Sequence, residues 1–229
     1  MSEEVRSMFA SIANKYDMVN TVLSFGVHHR WRKKAVKWSQ VKPGDDVLDC
    51  ATGTGDLAIA FKKVVGDQGR VLGTDFCAEM METAPDKSKK AGLVVEYEVA
   101  DVLHLPYSDD SFTISSISFG IRNTDYPLQC LHEMARVVKP GGRVVVIEFG
   151  QPNGIMKYPY LFYQKYWMPF IGGLLSGNRD AYVYLPKTSA AFPAGKDFLA
   201  LMDKTGVFKE RKAYPLTGGI AYIYIGTVA

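Results

Sequence analysis

The spacing of apolar residues along this chain changes several times, and each change predicts an element. From residue 5 to 23, Val5, Met8, Phe9, Ile12, Tyr16 and Val19 fall three or four apart, so one amphipathic helix is expected. A second helical segment, 29–39, sets Trp31, Ala35 and Trp38 on one side. Pro43-Gly44 then punctuates the entry to a short apolar run, 46–50, that reads as the first strand. Beyond it helices are expected over 57–65, 78–91 (interrupted by Pro85) and 127–138. Strands are expected over 70–75, 94–99, 112–118 and 143–149. Val144-Val145-Val146-Ile147 is nearly continuous, as in a parallel strand covered on both faces. Strands separated by helices argue for βαβ units with right-handed crossovers.

Residues 153–189 break this alternation. Tyr158, Tyr160, Phe162, Tyr163, Tyr166, Trp167 and Phe170 crowd one segment, which reads as a helical insertion over the open end of the sheet. Order resumes with a helix over 195–205 and strands over 207–214 and 220–227. Leu216-Thr217-Gly218-Gly219 between those strands is short enough for a hairpin, so the last pair should be antiparallel. The expected fold is α/β, Rossmann-like, with seven strands and an antiparallel last strand.

At 229 residues, 47% hydrophobic and 22% charged, the chain reads as one folded, soluble domain. It divides into an N-terminal helical cover (1–42), a cofactor-binding core (43–150), an aromatic helical lid (151–190), and a terminal helix with a hairpin (191–229). Cys50, Cys77 and Cys130 are scattered and form no CxxC or Cys/His cluster, so neither a disulfide framework nor a metal site is expected, and a reducing cytoplasm is. The start, Met1-Ser2-Glu3-Glu4, has no cationic or apolar signal region. The longest uncharged apolar run, 166–178, is too short to span a bilayer and carries Pro169 and glycines. A net charge of +3, with no arginine-rich arm, argues against nucleic-acid binding.

The candidate chemistry lies in Val47-Leu48-Asp49-Cys50-Ala51-Thr52-Gly53-Thr54-Gly55-Asp56, a strand that stops in Gly-x-Gly and turns into a helix. Glycine lets backbone approach a ligand closely. The loop satisfies the Gly-x-Gly-x-x-Ala dinucleotide fingerprint, and Asp75 lies about 20 residues on, where a ribose-binding acid belongs. NAD and S-adenosylmethionine both fit that pattern. Asp49 and Asp56 discriminate between them, since they would repel a pyrophosphate but not a phosphate-free sulfonium. The antiparallel hairpin points the same way, to a class I S-adenosylmethionine-dependent methyltransferase.

Six segments then resemble a known family: Lys15-Tyr16-Asp17-Met18-Val19-Asn20, Leu23-Ser24-Phe25-Gly26, Gly53-Thr54-Gly55-Asp56, Ser118-Phe119-Gly120-Ile121-Arg122-Asn123, Arg136-Val137-Val138-Lys139-Pro140-Gly141-Gly142 and Leu216-Thr217-Gly218-Gly219. In this order, over nearly the whole chain, they look like the UbiE/MenG/COQ5 quinone C-methyltransferases. Phe-Gly-Ile-Arg-Asn, Lys-Tyr-Asp and the final Leu-Thr-Gly-Gly are the restrictive pieces. Thr52 departs from the family, which usually has glycine there, and is expected to narrow the cofactor loop. The resemblance implies methylation of a ring carbon of demethylmenaquinol or a ubiquinol precursor, with S-adenosylmethionine as donor and a lipid-tailed quinol as substrate.

Within that reading Asp49, Gly53 and Gly55 form the cofactor loop. Asp75 receives the ribose hydroxyls, and Asp101 with Val102 meets the adenine. Thr54 and Ser118 are the family-matched polar residues near the methionine end. For catalysis, Arg122 polarises the quinol hydroxyl and stabilises the phenolate, since a guanidinium is a poor free base. Asn123 stands beside it. Tyr16 hydrogen-bonds the acceptor and Asp17 relays a proton, with core tyrosine and capping aspartate as the alternatives. The sequence singles out no general base. His28-His29 could suggest a metal pair, but adjacent residues are not expected to share a helix face. The basic run 28–37 suits a solvated face or attraction to an anionic membrane. The aromatic segment 158–170 is expected to line a groove for an isoprenoid tail, with Asp180-Ala181-Tyr182-Val183-Tyr184-Leu185 in the same lid. A cytoplasmic enzyme peripheral to the membrane follows, with a homodimer left open. The rivals are an O- or N-methyltransferase on the same scaffold, an NAD-dependent oxidoreductase, and a non-catalytic scaffold of quinone biosynthesis.

Overall fold

The structure, a computed structural model, describes residues 3–152 and 154–229. The expected N-terminal helix is divided. α1 (Glu3–Ile12) ends in a 3₁₀ turn, Ala13–Lys15, before α2 (Tyr16–Leu23) begins. The break lets Ile12, Val19 and Leu23 bury together, a result that tertiary packing imposes and helical spacing alone does not encode. Gly26, at φ 70°, turns the chain into α3 (Val27–Ser39), which starts two residues earlier than expected.

Among the described residues seven strands form one sheet: β1 (Val47–Cys50), β2 (Val71–Asp75), β3 (Glu96–Val99), β4 (Phe112–Ser118), β5 (Val138–Phe149), β6 (Phe208–Leu216) and β7 (Ala221–Val228). Their spatial order is β3-β2-β1-β4-β5-β7-β6. β1 to β5 run parallel, and β7 runs antiparallel to both β5 and β6, as the hairpin signal requires. The hairpin turns through three left-handed residues, Thr217, Gly218 and Gly219, which explains the glycine pair.

α4 (Asp56–Val65) follows the glycine loop. The helix expected over 78–91 is two, α5 (Ala78–Met81) and α6 (Ala84–Lys90). Pro85 sits in the first turn of α6, where a missing N–H costs nothing, so it starts a helix where an interruption was expected. α7 (Pro127–Arg136) precedes β5. One face of the sheet buries Leu48, Ile117, Val144 and Val146 against α7 and α11 (Lys196–Thr205). The other buries Val47, Ile114, Val145 and Ile147 against Trp31 and Ala35 of α3 and Leu57 and Phe61 of α4. Each such fully buried aliphatic or aromatic side chain contributes about 1.5–3 kcal/mol.

Among the described residues the insertion is mainly helical: α8 (Lys157–Phe162), a π-helical turn Tyr163–Trp167, α9 (Met168–Ser176) and α10 (Arg179–Ala191). The Asn178 side chain caps α10 by accepting from the Asp180 and Ala181 amides. Met168, Ala181 and Tyr182 close on Ile12, Val19 and Leu23, so the insertion and the N-terminal helices form one cover. It lies over the point, between the paired strands β1 and β4, where the strand order reverses. In parallel sheets ligands bind there, at the carboxyl ends of the strands. Among the described residues no helix is long and apolar enough to cross a membrane.

Candidate active site

Beyond β1 the backbone takes left-handed conformations at Ala51, Gly53 and Gly55, which folds the loop tightly before α4. Gly55 has no alternative: at φ 80° a Cβ would run into the Tyr97 hydroxyl, itself fixed by Ser88 Oγ at 2.7 Å. Asp49 lies beneath this loop, 1% exposed, accepting from Ser116 Oγ at 2.6 Å and Thr52 Oγ1 at 2.7 Å. Burial raises its pKa to about 6, against the pull of those two hydroxyls. Asp49 therefore supports the loop from below. Thr52 turns the same way, toward Asp49 and into room left by Gly73, so the expected narrowing of the cleft does not occur.

A charged clasp closes the other side. Thr54 Oγ1 donates to Asp17 Oδ1 at 2.6 Å, and Lys87 Nζ reaches Asp17 Oδ2 at 2.5 Å, Thr54 Oγ1 at 3.2 Å and also Asp56. Arg32 pairs with Asp56 at 2.7 Å. Burial alone would raise the pKa of Asp56, but Arg32 and Lys87 hold it below the usual carboxylate value. The structure thus joins Asp17 on α2 to the loop and to α6, binding the N-terminal cover to the core.

Asp75, at the end of β2, accepts from the Gly53 and Cys77 amides, each at 2.9 Å, and burial raises its pKa. With the Phe76 amide also acting on it, the carboxylate still keeps a lone pair for a further donor. Asp101 is half-buried and caps its own turn through the Leu103 amide at 2.9 Å, while Val102 packs on the sheet core. Ser118 ends β4 with its Oγ buried and unpartnered. The loop region thus offers acids, a spare hydroxyl and a tight backbone, while its cations Arg32 and Lys87 are both paired with carboxylates. A pyrophosphate would meet Asp56 at the very start of α4, where phosphate normally binds. The donor set fits a cationic, phosphate-free cofactor.

Beside the loop lies a cavity of about 280 Å³ under the helical cover, with almost wholly apolar walls. Phe9, Trp31, Phe119, Phe149, Tyr160 and Tyr163 line it, with polar breaks at Tyr16, Asn20, His28 and Arg122. Thr217 brings the hairpin tip to the wall, where its hydroxyl accepts from Trp31 Nε1 at 3.1 Å. Arg122 is held rigidly: Nη1 donates to Phe119 O and to Glu148 Oε1, both at 2.7 Å, and the pair is 4% and 1% exposed. Its Nε and Glu148 Oε2 remain buried without partners. A surface salt bridge, the plain alternative for Arg122, is therefore excluded. Asn123 ties the strand end to the cover, its Oδ1 accepting from Tyr184 at 3.2 Å. Burial raises the Tyr16 phenol.

Two expectations are corrected. His28 and His29 do bring their rings together, with centroids 3.9 Å apart, although one side chain is buried and the other exposed. With Asp56 they place three potential ligand atoms within 4.8 Å, but Arg32 and Lys87 already occupy that carboxylate and oppose a cation. Of the aromatic segment, only Tyr160 and Tyr163 line the cavity, whereas Tyr158, Phe162, Tyr166, Trp167 and Phe170 are exposed.

Sequence reasoning also missed residues. Glu148 lies one residue before the end of an apolar strand and carries no motif. Lys87 stands in no motif, and Arg32 is one cation of the basic run 28–37. His28 stands in a basic run with no partner cluster near it in sequence, yet it is buried in the cavity wall, its Nδ1 bonded to Ser24 Oγ. Burial, then Arg32 and His29, lower its pKa to about 4.

The family model described as "ubiE/COQ5 methyltransferase family" matches residues 1–228. A ubiquinone/menaquinone biosynthesis C-methyltransferase UbiE from Bdellovibrio bacteriovorus is 56% identical over 99% of this chain and 96% of its own length. A demethylmenaquinone methyltransferase from Thermus thermophilus is 43% identical over 96% of this chain and 99% of its own. Among solved structures, a methyltransferase from Thermotoga maritima dependent on S-adenosylmethionine superposes with a TM-score of 0.66 at 21% identity, covering 96% of this chain and 98% of that one. The last shares the fold. The chain belongs to the ubiE/COQ5 methyltransferase family, and its methyl donor is S-adenosylmethionine.

Proposed function

We propose that this enzyme methylates a ring carbon of a reduced, prenylated quinone precursor, demethylmenaquinol or its benzoquinol counterpart, in respiratory quinone biosynthesis. The names of its relatives support that class of acceptor. The observation that carries the reading is an apolar cavity beside the cofactor loop whose wall holds a buried, fixed guanidinium. A flat aromatic ring suits the cavity, and the guanidinium suits an oxygen that gains negative charge.

When bound, S-adenosylmethionine supplies a methyl group already activated by its sulfonium. Asp75 would hold the ribose, Asp101 and Val102 the adenine, and Thr54 and Ser118 the methionine end, on the backbone of Gly53 and Gly55 that Asp49 braces. Arg122 stabilises the ring oxygen as its proton leaves, and Tyr16 hydrogen-bonds the same end of the acceptor. Neutral His28 takes the hydroxyl proton as the new carbon–carbon bond forms. It returns that proton to the oxygen when the methylated carbon releases its own hydrogen to solvent and the ring regains aromaticity. A weak base suffices, because a ring hydroxyl becomes far more acidic as the adjacent carbon forms its new bond. Asn123, through Tyr184, holds the cover in place, and Asp17 fastens it to the loop. Tyr160 and Tyr163 take the first part of the tail. The location is the cytoplasm at a membrane surface.

Radiolabelled S-adenosylmethionine with reduced and oxidised demethylnaphthoquinone tests this directly. Label is expected on a ring carbon and only from the quinol; label on oxygen would overturn the reading. Asp75→Asn should weaken cofactor binding about tenfold or more. Arg122→Lys should keep that binding and lose about 10²-fold in turnover. Unchanged turnover would remove Arg122 from the chemistry.

A further inference from the structure

α8, the π turn and α9 run as one continuous helix from Lys157 to Ser176, and that helix is apolar on two sides. Its inner side holds Tyr160, Tyr163 and Met168 in the cavity wall, with the Tyr163 hydroxyl donating to Leu23 O at 2.6 Å. Its outer side carries Tyr158, Phe162, Tyr166, Phe170 and Leu174, exposed by 76%, 64%, 54%, 65% and 72%. They recur every four residues, a spacing that drifts around a regular α-helix of 3.6 residues per turn. The wider π turn at Tyr163–Trp167 takes up part of that drift and keeps the stripe on one side. Trp167 on the same helix and Phe25 beside the cavity are also exposed, by 52% and 81%. So much contiguous exposed apolar surface marks an interaction site.

We infer that this outer stripe is the surface by which the protein docks on an anionic phospholipid bilayer, with the cavity opening beside the lipid. Its composition matches a bilayer interface, with aromatic rings beside long cationic side chains. Lys157 and Lys165 are exposed on this helix, and no acidic residue occurs from 154 to 178. The same charges disfavour a second copy of the chain as the occupant. A two-fold contact would set this patch against itself, lysines against lysines, with no carboxylate to answer them. The inference rests on the quinol reading only for its purpose, delivery of a lipid-tailed acceptor to the cavity. It moves the principal membrane contact from the basic face of α3 to the outer face of α8–α9.

Vesicle flotation tests it, with vesicles of phosphatidylcholine alone and of phosphatidylcholine mixed with phosphatidylglycerol. The parent protein should float with the mixed vesicles. Phe162→Gln/Tyr166→Gln/Phe170→Gln should bind them about tenfold more weakly or worse. Lys157→Gln/Lys165→Gln should lose the preference for phosphatidylglycerol. Lys33→Gln/Lys34→Gln/Lys37→Gln on α3 should bind within about twofold of the parent. A parent that does not float, a stripe variant that floats as the parent does, or a loss of binding confined to the α3 variant overturns the inference. So does a parent dimer that the stripe variant makes monomeric without changing vesicle binding. All forms are also assayed on a water-soluble, tail-less quinol, where the stripe variant should turn over at the parent's rate. Absence of turnover in every form would refute the quinol reading and leave the vesicle result standing separately.

Discussion

Arg122 and Glu148 meet at 2.7 Å with almost no solvent around either, so neither charge can be removed alone without stranding the other. Losing one member of such a buried pair typically costs about 3 to 5 kcal/mol, whereas replacing both with apolar residues of similar size is often neutral. Arg122→Met and Glu148→Leu should therefore each lower stability to urea by that amount, and the double variant should recover most of it. Turnover should be lost in all three. Single variants as stable as the parent would show that the pair is not desolvated. Glu148 acts as a positioning residue: Glu148→Gln should lower kcat more than it raises KM, because the amide keeps the hydrogen bond to Arg122 without the charge. Only half of this pair was legible in the sequence. Arg122 stands in a recognisable segment just after a strand, but a glutamate inside an apolar strand says nothing of a partner 26 residues earlier. Asp49 shows the opposite limit. Its place before the glycine loop marked it as important, but whether its carboxylate faces a ligand or the protein depends on Ser116, 67 residues away.

At the scale of elements, the cover depends on close helix packing. A Cβ on Gly172 in α9 would land in the ring of Tyr182 on α10, and Tyr182 also lines the cavity. Gly172→Ala should cost about 1–3 kcal/mol through overpacking. Since the cover packs largely on itself, the loss should appear as faster amide exchange in α9 and α10, with β4 and β5 unchanged. Equal acceleration in the strands would mean that cover and core open together. The strands and the hairpin were legible because their signals are local: β-rich runs, Lys139-Pro140-Gly141-Gly142, and Leu216-Thr217-Gly218-Gly219. The break between α1 and α2 was not, since no proline or glycine marks it, and it exists to bring Ile12 and Val19 into one cluster. Nor was the outward stripe. A helix apolar on two sides does not declare which side faces the protein, and only packing against α2 and α10 selects Tyr160 and Tyr163 for the inside.

Across the whole molecule, two buried groups near the site impose opposite pH dependence on folding. Asp49 is raised from 3.8 to about 6, so the folded state holds its proton more tightly than the unfolded chain does. Its contribution is fully present below 3.8 and is lost as pH rises through about 6. His28 is lowered from 6.5 to about 4, so the folded state binds its proton less well. That contribution is present above 6.5 and is lost as pH falls through about 4. Each is worth about 3 kcal/mol, and the two nearly offset each other between those limits. Asp75, also raised by burial, adds to the acid-favouring side, so the parent's stability should change little and tilt slightly upward on acidification. Removing either group uncovers the other. His28→Gln should make the cofactor-free protein markedly more stable at pH 4.5 than at pH 6.5, and Asp49→Asn should do the reverse. Urea unfolding across that range measures both slopes. If both variants keep the parent's slope, neither group is desolvated as the structure requires. A steepening in His28→Gln alone would place the balance with Asp75, leaving Asp49 a hydrogen-bonding brace that does not titrate in this range.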